Sequence, residues 1–144
     1  MEKRLYVAME LKDRITLSNI RMEKAREFLE DAKANLAEGR NKTAINRSYY
    51  SALNVVRAIL IIEGINPESH DEAVTMLSLR FVKPGLLPVD IIKKFKVLLS
   101  RRTDADYGDF ETVDTADAED AVKNTDEIIA VLDKLRLELI KNWT

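Results

Sequence analysis

The chain reads as an all-α protein, an antiparallel up-and-down bundle of about five to six helices with short connections. Three observations lead there. Apolar residues recur at the i, i+3, i+4, i+7 spacing of a helix face through most of the 144 residues. Only 4 glycines and 3 prolines punctuate them, too few for the tight turns of an all-β fold. No segment sustains the period-two alternation of a half-buried strand.

Taken in order, Glu2 to Leu17 reads as a first helix on the thin stripe Leu5, Ala8, Met9 and Ile15. It is an extra amino-terminal element (residues 1–18) beside a core bundle over 19–142 of a single domain. Ser18 or Asn19 is placed to cap a second helix ending near Glu38, whose buried stripe is Ala25, Phe28, Leu29, Ala32 and Leu36. Gly39 supplies the left-handed stop and Asn41 a cap for the next helix. That next stretch, Asn41 to Gly64, is apolar nearly all round, so it is expected to be the central post. After the INPES loop, Ser69 and Glu72 form an S-x-x-E capping box for a fourth helix to about Phe81. Lys83-Pro84-Gly85 breaks it. Pro88 opens a fifth helix along Ile91, Ile92, Phe95, Leu98 and Leu99, closed by the loop DADYGDFETVD. Asp114 or Thr115 starts the last, with Ala118, Ala121, Val122, Ile128, Ile129, Leu132, Leu135 and Leu139 facing the core.

The bulk chemistry excludes several classes of function. With no Cys there are no disulfides, thiol nucleophiles or Cys-type zinc sites, and with one His a transition-metal site is not expected. No cofactor is expected either, since glycine-rich phosphate loops and the common hydrolase motifs are absent. No window approaches the ~20 apolar residues of a membrane span. The charged start MEKRLYVAMELKDR lacks the apolar run of a secretory signal, so the cytoplasm is the expected address. Net charge is only −2, but its distribution is uneven. Arg80, Lys83, Lys93, Lys94, Lys96, Arg101 and Arg102 face Asp90 alone, and a strongly acidic stretch follows from Thr103. The junction is either a local phosphate-facing patch with an acidic collar or a solvated face.

The ordered combination of EGR, NRSYYSA, a loop carrying SH, RFVKPGLLP and RRTDADYGDF resembles small stand-alone prokaryotic HEPN-domain proteins with an R-x-x-A-D-Y signature. The resemblance runs from about Arg21 to Leu139. It implies a helical bundle that pairs into a homodimer and acts with a minimal nucleotidyltransferase in a toxin–antitoxin-like or nucleotide-handling pair. It also implies, for the members that are RNases, an R-x4-6-H motif at the dimer cleft. Here the sequence departs from that pattern. Beyond four intervening residues, Arg102 is followed by Tyr107 and Arg101 by Asp106, neither of which replaces a histidine simply.

Arg102 leads the candidates because a guanidinium offers phosphate a bidentate fork, and Arg101 and Arg47 are the further phosphate candidates. Against this, Arg102 could equally tie down Asp104, Asp106 or Asp109, and Arg47 and Arg57 could pair with Glu30, Asp31 or carboxylates of the last helix. Asp106 and Tyr107 are expected to staple the loop, with the Tyr107 ring on the bundle, rather than to catalyse. His70, at a helix start, is either structural or the missing imidazole facing the same cleft as Arg102. Three functions follow: a phosphate- or RNA-binding partner of a nucleotidyltransferase, a divergent metal-independent RNase using Arg102 with Tyr107, Asp106 or His70, or a structural interaction module.

Overall fold

A computed structural model describes residues 5–107 and 113–144. The described elements are α1 (Leu11–Ala37), α2 (Asn41–Ile62), α3 (His70–Leu77), a π-helical turn (Ser78–Val82), α4 (Val89–Tyr107) and α5 (Thr115–Trp143). Cross-helix contacts give their directions. Ser18 meets Ala58, Ser51 meets Ala25 and Arg47 meets Asp31, so α1 and α2 are antiparallel. Arg102 meets Tyr50 and Asp106 meets Asn46, so α4 opposes α2. Arg101 meets Asp120 and Lys94 meets Glu127, so α5 opposes α4. The four long helices run up, down, up, down.

The central helix is α2, as its pattern requires. Ile45, Val55, Val56, Ile59, Leu60, Ile61 and Ile62 are all inaccessible to solvent. Small residues bring its backbone close to α1: the Ser51 hydroxyl donates to the Ala25 carbonyl and that of Ser18 to the Ala58 carbonyl, both at 2.6 Å. Such bonds form only where two helix backbones nearly touch. Beyond its first turn, what escapes burial is one stripe, Asn46, Arg47, Tyr50, Leu53, Asn54 and Arg57, half-covered between its neighbours. The largest buried side chains, Phe81 and Phe95, come from the π turn and α4.

Several boundaries differ from expectation. Among the described residues no separate amino-terminal helix is formed. Residues 5–10 are extended, and Leu11 to Leu17 are the first turns of α1 itself. Nothing between Leu17 and Ser18 breaks a helix, and Ser18 is buried against α2 instead of capping. The extended segment lies along the end of α2. Tyr6 bridges Ile65, Val7 N–H donates to the Gly64 carbonyl at 2.9 Å, and Asn66 N–H donates to the Leu5 carbonyl. Gly64 turns the chain there at φ +78°, and Gly39 ends α1 at φ +76°, backbone that L-residues avoid. Asn41 does not cap α2 either; its amide reaches Thr115 at 3.3 Å.

At Ser69 the hydroxyl accepts from Glu72 N–H as predicted, but the Glu72 carboxylate accepts from Glu68 N–H, one residue earlier than a capping box requires. The full reciprocal box forms at α5, between Asp114 and Asp117. The loop expected from Asp104 does not begin there, because Asp104 to Tyr107 continue α4. No glycine or proline interrupts that stretch before Gly108, and acidic residues alone do not end a helix. Gly108 itself lies outside the described residues.

Candidate functional site

The open stripe of α2 is where the chemistry collects. Arg102, in the last turns of α4, lays its guanidinium over two rings of α2, 5.0 Å from the Tyr49 centroid and 5.5 Å from that of Tyr50. Its Nη1 donates to the Tyr50 hydroxyl at 2.7 Å. Its Nε is buried without a hydrogen-bond partner, since the Asp106 carboxylate stands 3.7 Å away, beyond hydrogen-bonding distance. The side chain is 19% exposed. A cation is therefore oriented by two aromatic faces and one hydroxyl, with donor capacity left over.

The other end of the tyrosine pair holds His70. The Tyr49 hydroxyl and His70 Nδ1 share a hydrogen bond of 3.1 Å, and the imidazole leans on Phe95 with centroids 4.6 Å apart. Phe95 also stacks nearly flat on Tyr49, at 6.0 Å and 6°. Arg102 and His70, thirty-two positions apart in sequence, thus meet through one tyrosine. Burial raises the Tyr49 phenol above its ordinary pKa of 10, with the Arg102 charge opposing. Burial likewise lowers His70 from its usual 6.5, helped by Lys96 and Arg102 and opposed by Asp71. At neutral pH the imidazole is uncharged and able to accept a proton.

The His70 shift fixes the sign of a pH effect. Below 6.5 the unfolded chain protonates this imidazole before the native state does, so stability falls as pH drops from about 6.5 through the lower native value. His70→Phe, which keeps a ring against Phe95, is expected to flatten that part of the profile. Urea midpoints of both proteins at about pH 7.5 and pH 5 measure it; parallel profiles would contradict the assignment.

The remaining candidates divide. Arg101 turns away from this stripe and pairs with Asp120 of α5. Arg47 pairs with Asp31, one of the expected partners, at 2.9 Å, and also reaches Asn46 at 3.1 Å. Asn46 continues to Asp106 at 3.3 Å, which links Arg47 to the collar around Arg102. Tyr107, expected to pack on the bundle, is instead 72% exposed. Asp104 points outward as well, and Asp109 lies outside the described residues. Sequence reasoning missed Phe95 as the platform beneath the imidazole; a stripe residue of α4 gives no hint of which ring it will face. Among the described residues no group of three or more His, Asp or Glu could hold a metal ion, and no helix is long and apolar enough to cross a membrane.

The four-helix up-down bundle has known counterparts. The profile of the HEPN domain matches residues 18–135, and the chain belongs to that family. A UPF0332 protein of Thermotoga maritima is 28% identical over 78% of this chain and 85% of its own length. A protein of Methanocaldococcus jannaschii, named as a candidate toxin, is 33% identical over 69% of this chain and 67% of its own. The crystal structure of TT1696 from Thermus thermophilus superposes with a TM-score of 0.70 at 19% identity, covering 81% of this chain and 96% of that one. At that identity it speaks for the fold.

Proposed function

We propose that this HEPN protein binds the phosphate of a nucleotide or RNA in the open stripe over α2, with Arg102 as the principal contact. In this reading it works in the cytoplasm as a homodimer, as partner of a minimal nucleotidyltransferase in a toxin–antitoxin-like pair. The carrying observation is the state of Arg102: held in place by Tyr49 and Tyr50, its Nε without a hydrogen bond, and the Asp106 carboxylate, an ion-pair partner at 3.7 Å, the competitor that a ligand must displace. A preoriented guanidinium loses little entropy when phosphate arrives. Exposed Leu79, Leu86 and Val89 offer apolar surface for a second copy or a partner.

Arg102→Gln is expected to weaken binding of a short single-stranded RNA by about tenfold or more, as the loss of a charge-assisted hydrogen bond implies. Its melting temperature should stay near that of the unsubstituted protein. Fluorescence anisotropy measures the affinity and thermal melting the stability, with sedimentation reporting the dimer. Equal affinity in the two proteins, or no RNA binding at all, would leave the interaction-module reading in its place.

A second reading has its own support. The chain His70–Tyr49–Arg102 sets a neutral imidazole beside a cation, the pair that metal-independent RNA cleavage needs, and one relative is named as a candidate toxin. Cleavage of a generic RNA that is lost in both Arg102→Gln and His70→Phe would establish it.

A further inference from the structure

Two turns further along the same stripe, a second pair of cations collects with no ion pair of its own among the described residues, Glu68 being the one carboxylate in the pocket lining. Arg21 of α1 donates to Asn66 Oδ1 at 2.9 Å and to the carbonyl of Arg57 at 3.3 Å, which brings it beside the Arg57 side chain. Arg57 Nε is buried and has no hydrogen-bond partner. Among the described residues no carboxylate pairs with either guanidinium. Most other described arginines meet an Asp or Glu: Arg26, Arg40, Arg47, Arg80, Arg101, Arg102 and Arg136 each do, while Arg14 donates to the Ile62 carbonyl.

The geometry around the pair is concave. Arg57 lines a pocket of about 390 Å³ between α2 and the loop that enters α3, together with Leu53, Asn66, Pro67, Glu68, Ser69 and His70. Two like charges side by side in a half-buried setting are unfavourable. Burial and the Arg57 charge together pull Arg21 down to about 10. An arriving anion would relieve that repulsion and find donors from Arg57 and from the first turn of α3. His70 lines this pocket and also shares a hydrogen bond with Tyr49, the ring that Arg102 covers. From Tyr50 to Arg57 is seven residues, about 10 Å of helix on one face.

We propose that the Arg57–Arg21 pocket is a second phosphate site, so that a single strand of nucleic acid lies along α2 and is held at two phosphates, by Arg102 at one end and Arg57 at the other. The inference rests on the Arg102 reading for its first contact and names the ligand as an oligonucleotide in preference to a mononucleotide.

The test uses the full chain, with Arg57→Gln, Arg57→Lys and Arg102→Gln, against inorganic phosphate, AMP and an oligouridylate of about eight nucleotides. Amide shifts at Ser69 and His70 report the pocket, and anisotropy reports oligonucleotide affinity across a salt series. Phosphate is expected to move those amides in the unsubstituted protein, in Arg57→Lys and in Arg102→Gln, but not in Arg57→Gln. The oligonucleotide should bind about tenfold more weakly to Arg57→Gln, with a salt slope shallower by about one unit. Arg57 Nε has no partner to orphan, so the glutamine variant should melt no lower than the parent. Unchanged amide shifts and affinity in Arg57→Gln overturn the proposal, and so does AMP binding as tightly as the oligonucleotide. Weaker binding in Arg57→Gln with no weakening in Arg102→Gln would sustain the pocket and remove the Arg102 contact instead.

Discussion

Arg136→Ala is expected to destabilise the fold by about 3–5 kcal/mol, the usual result of removing one partner from a buried ion pair. Only 5% of Arg136 is exposed, and its guanidinium spans three neighbours. Nε donates to Asp133 at 2.8 Å, and Nη1 donates to the Ser18 hydroxyl at 3.1 Å and to Asn19 Oδ1 at 2.8 Å. The Ser18 hydroxyl in turn donates to the Ala58 carbonyl, so one α5 side chain ties α1 to α2 as well. Alanine leaves Asp133 with Arg26 alone and opens a cavity where the stem lay. Arg136→Met refills that volume without restoring the charge, and should recover part of the loss. Urea denaturation of the three proteins decides. A loss below about 1 kcal/mol for alanine would mean that water reaches the network and screens it.

Phe95→Ala should cost a similar ~3–5 kcal/mol, the range for emptying a buried aromatic site, and it should disturb function as well. Phe95 is inaccessible to solvent, stacks on Tyr49 and supports His70. Without the ring, the imidazole gains water and its pKa should climb back toward 6.5, because burial is the largest cause of its depression. Phe95→Leu separates the two effects: it should restore most of the stability and little of the His70 shift. NMR titration of the single histidine follows the second effect and thermal melting the first. A His70 titration unchanged in both variants would show that Phe95 fills space without shaping the site.

The helical scaffold is legible in the sequence because its signal is local. The α5 stripe from Ala118 to Leu135 and the all-round apolar α2 follow from spacing alone, and the structure buries them as spacing requires. The amino-terminal segment departs from its pattern for a physical reason. Its thin stripe fits a helix, but Tyr6 finds its partner at Ile65, a pairing that no window of neighbouring residues contains. The end of α4 runs past its expected place because the absence of a breaker outweighs a run of acidic residues. For the site, residue type points to Arg102 and His70, but the link between them is Tyr49, supplied by a different helix. Arg101 and Arg102 look equivalent in sequence; a rotation of about 100° per residue sends one to α5 and the other to α2. The uncompensated pair at Arg57 and Arg21 is hidden for the same reason: thirty-six positions separate the two residues, and the lack of a counter-ion is visible only in three dimensions.

The extended strap at residues 5–10 carries a practical consequence. It hydrogen-bonds to Gly64 and Asn66, and Asn66 in turn accepts from Arg21 at the mouth of the Arg57 pocket. A purification tag or carrier protein fused ahead of Leu5 would therefore pull on that mouth through two bonds.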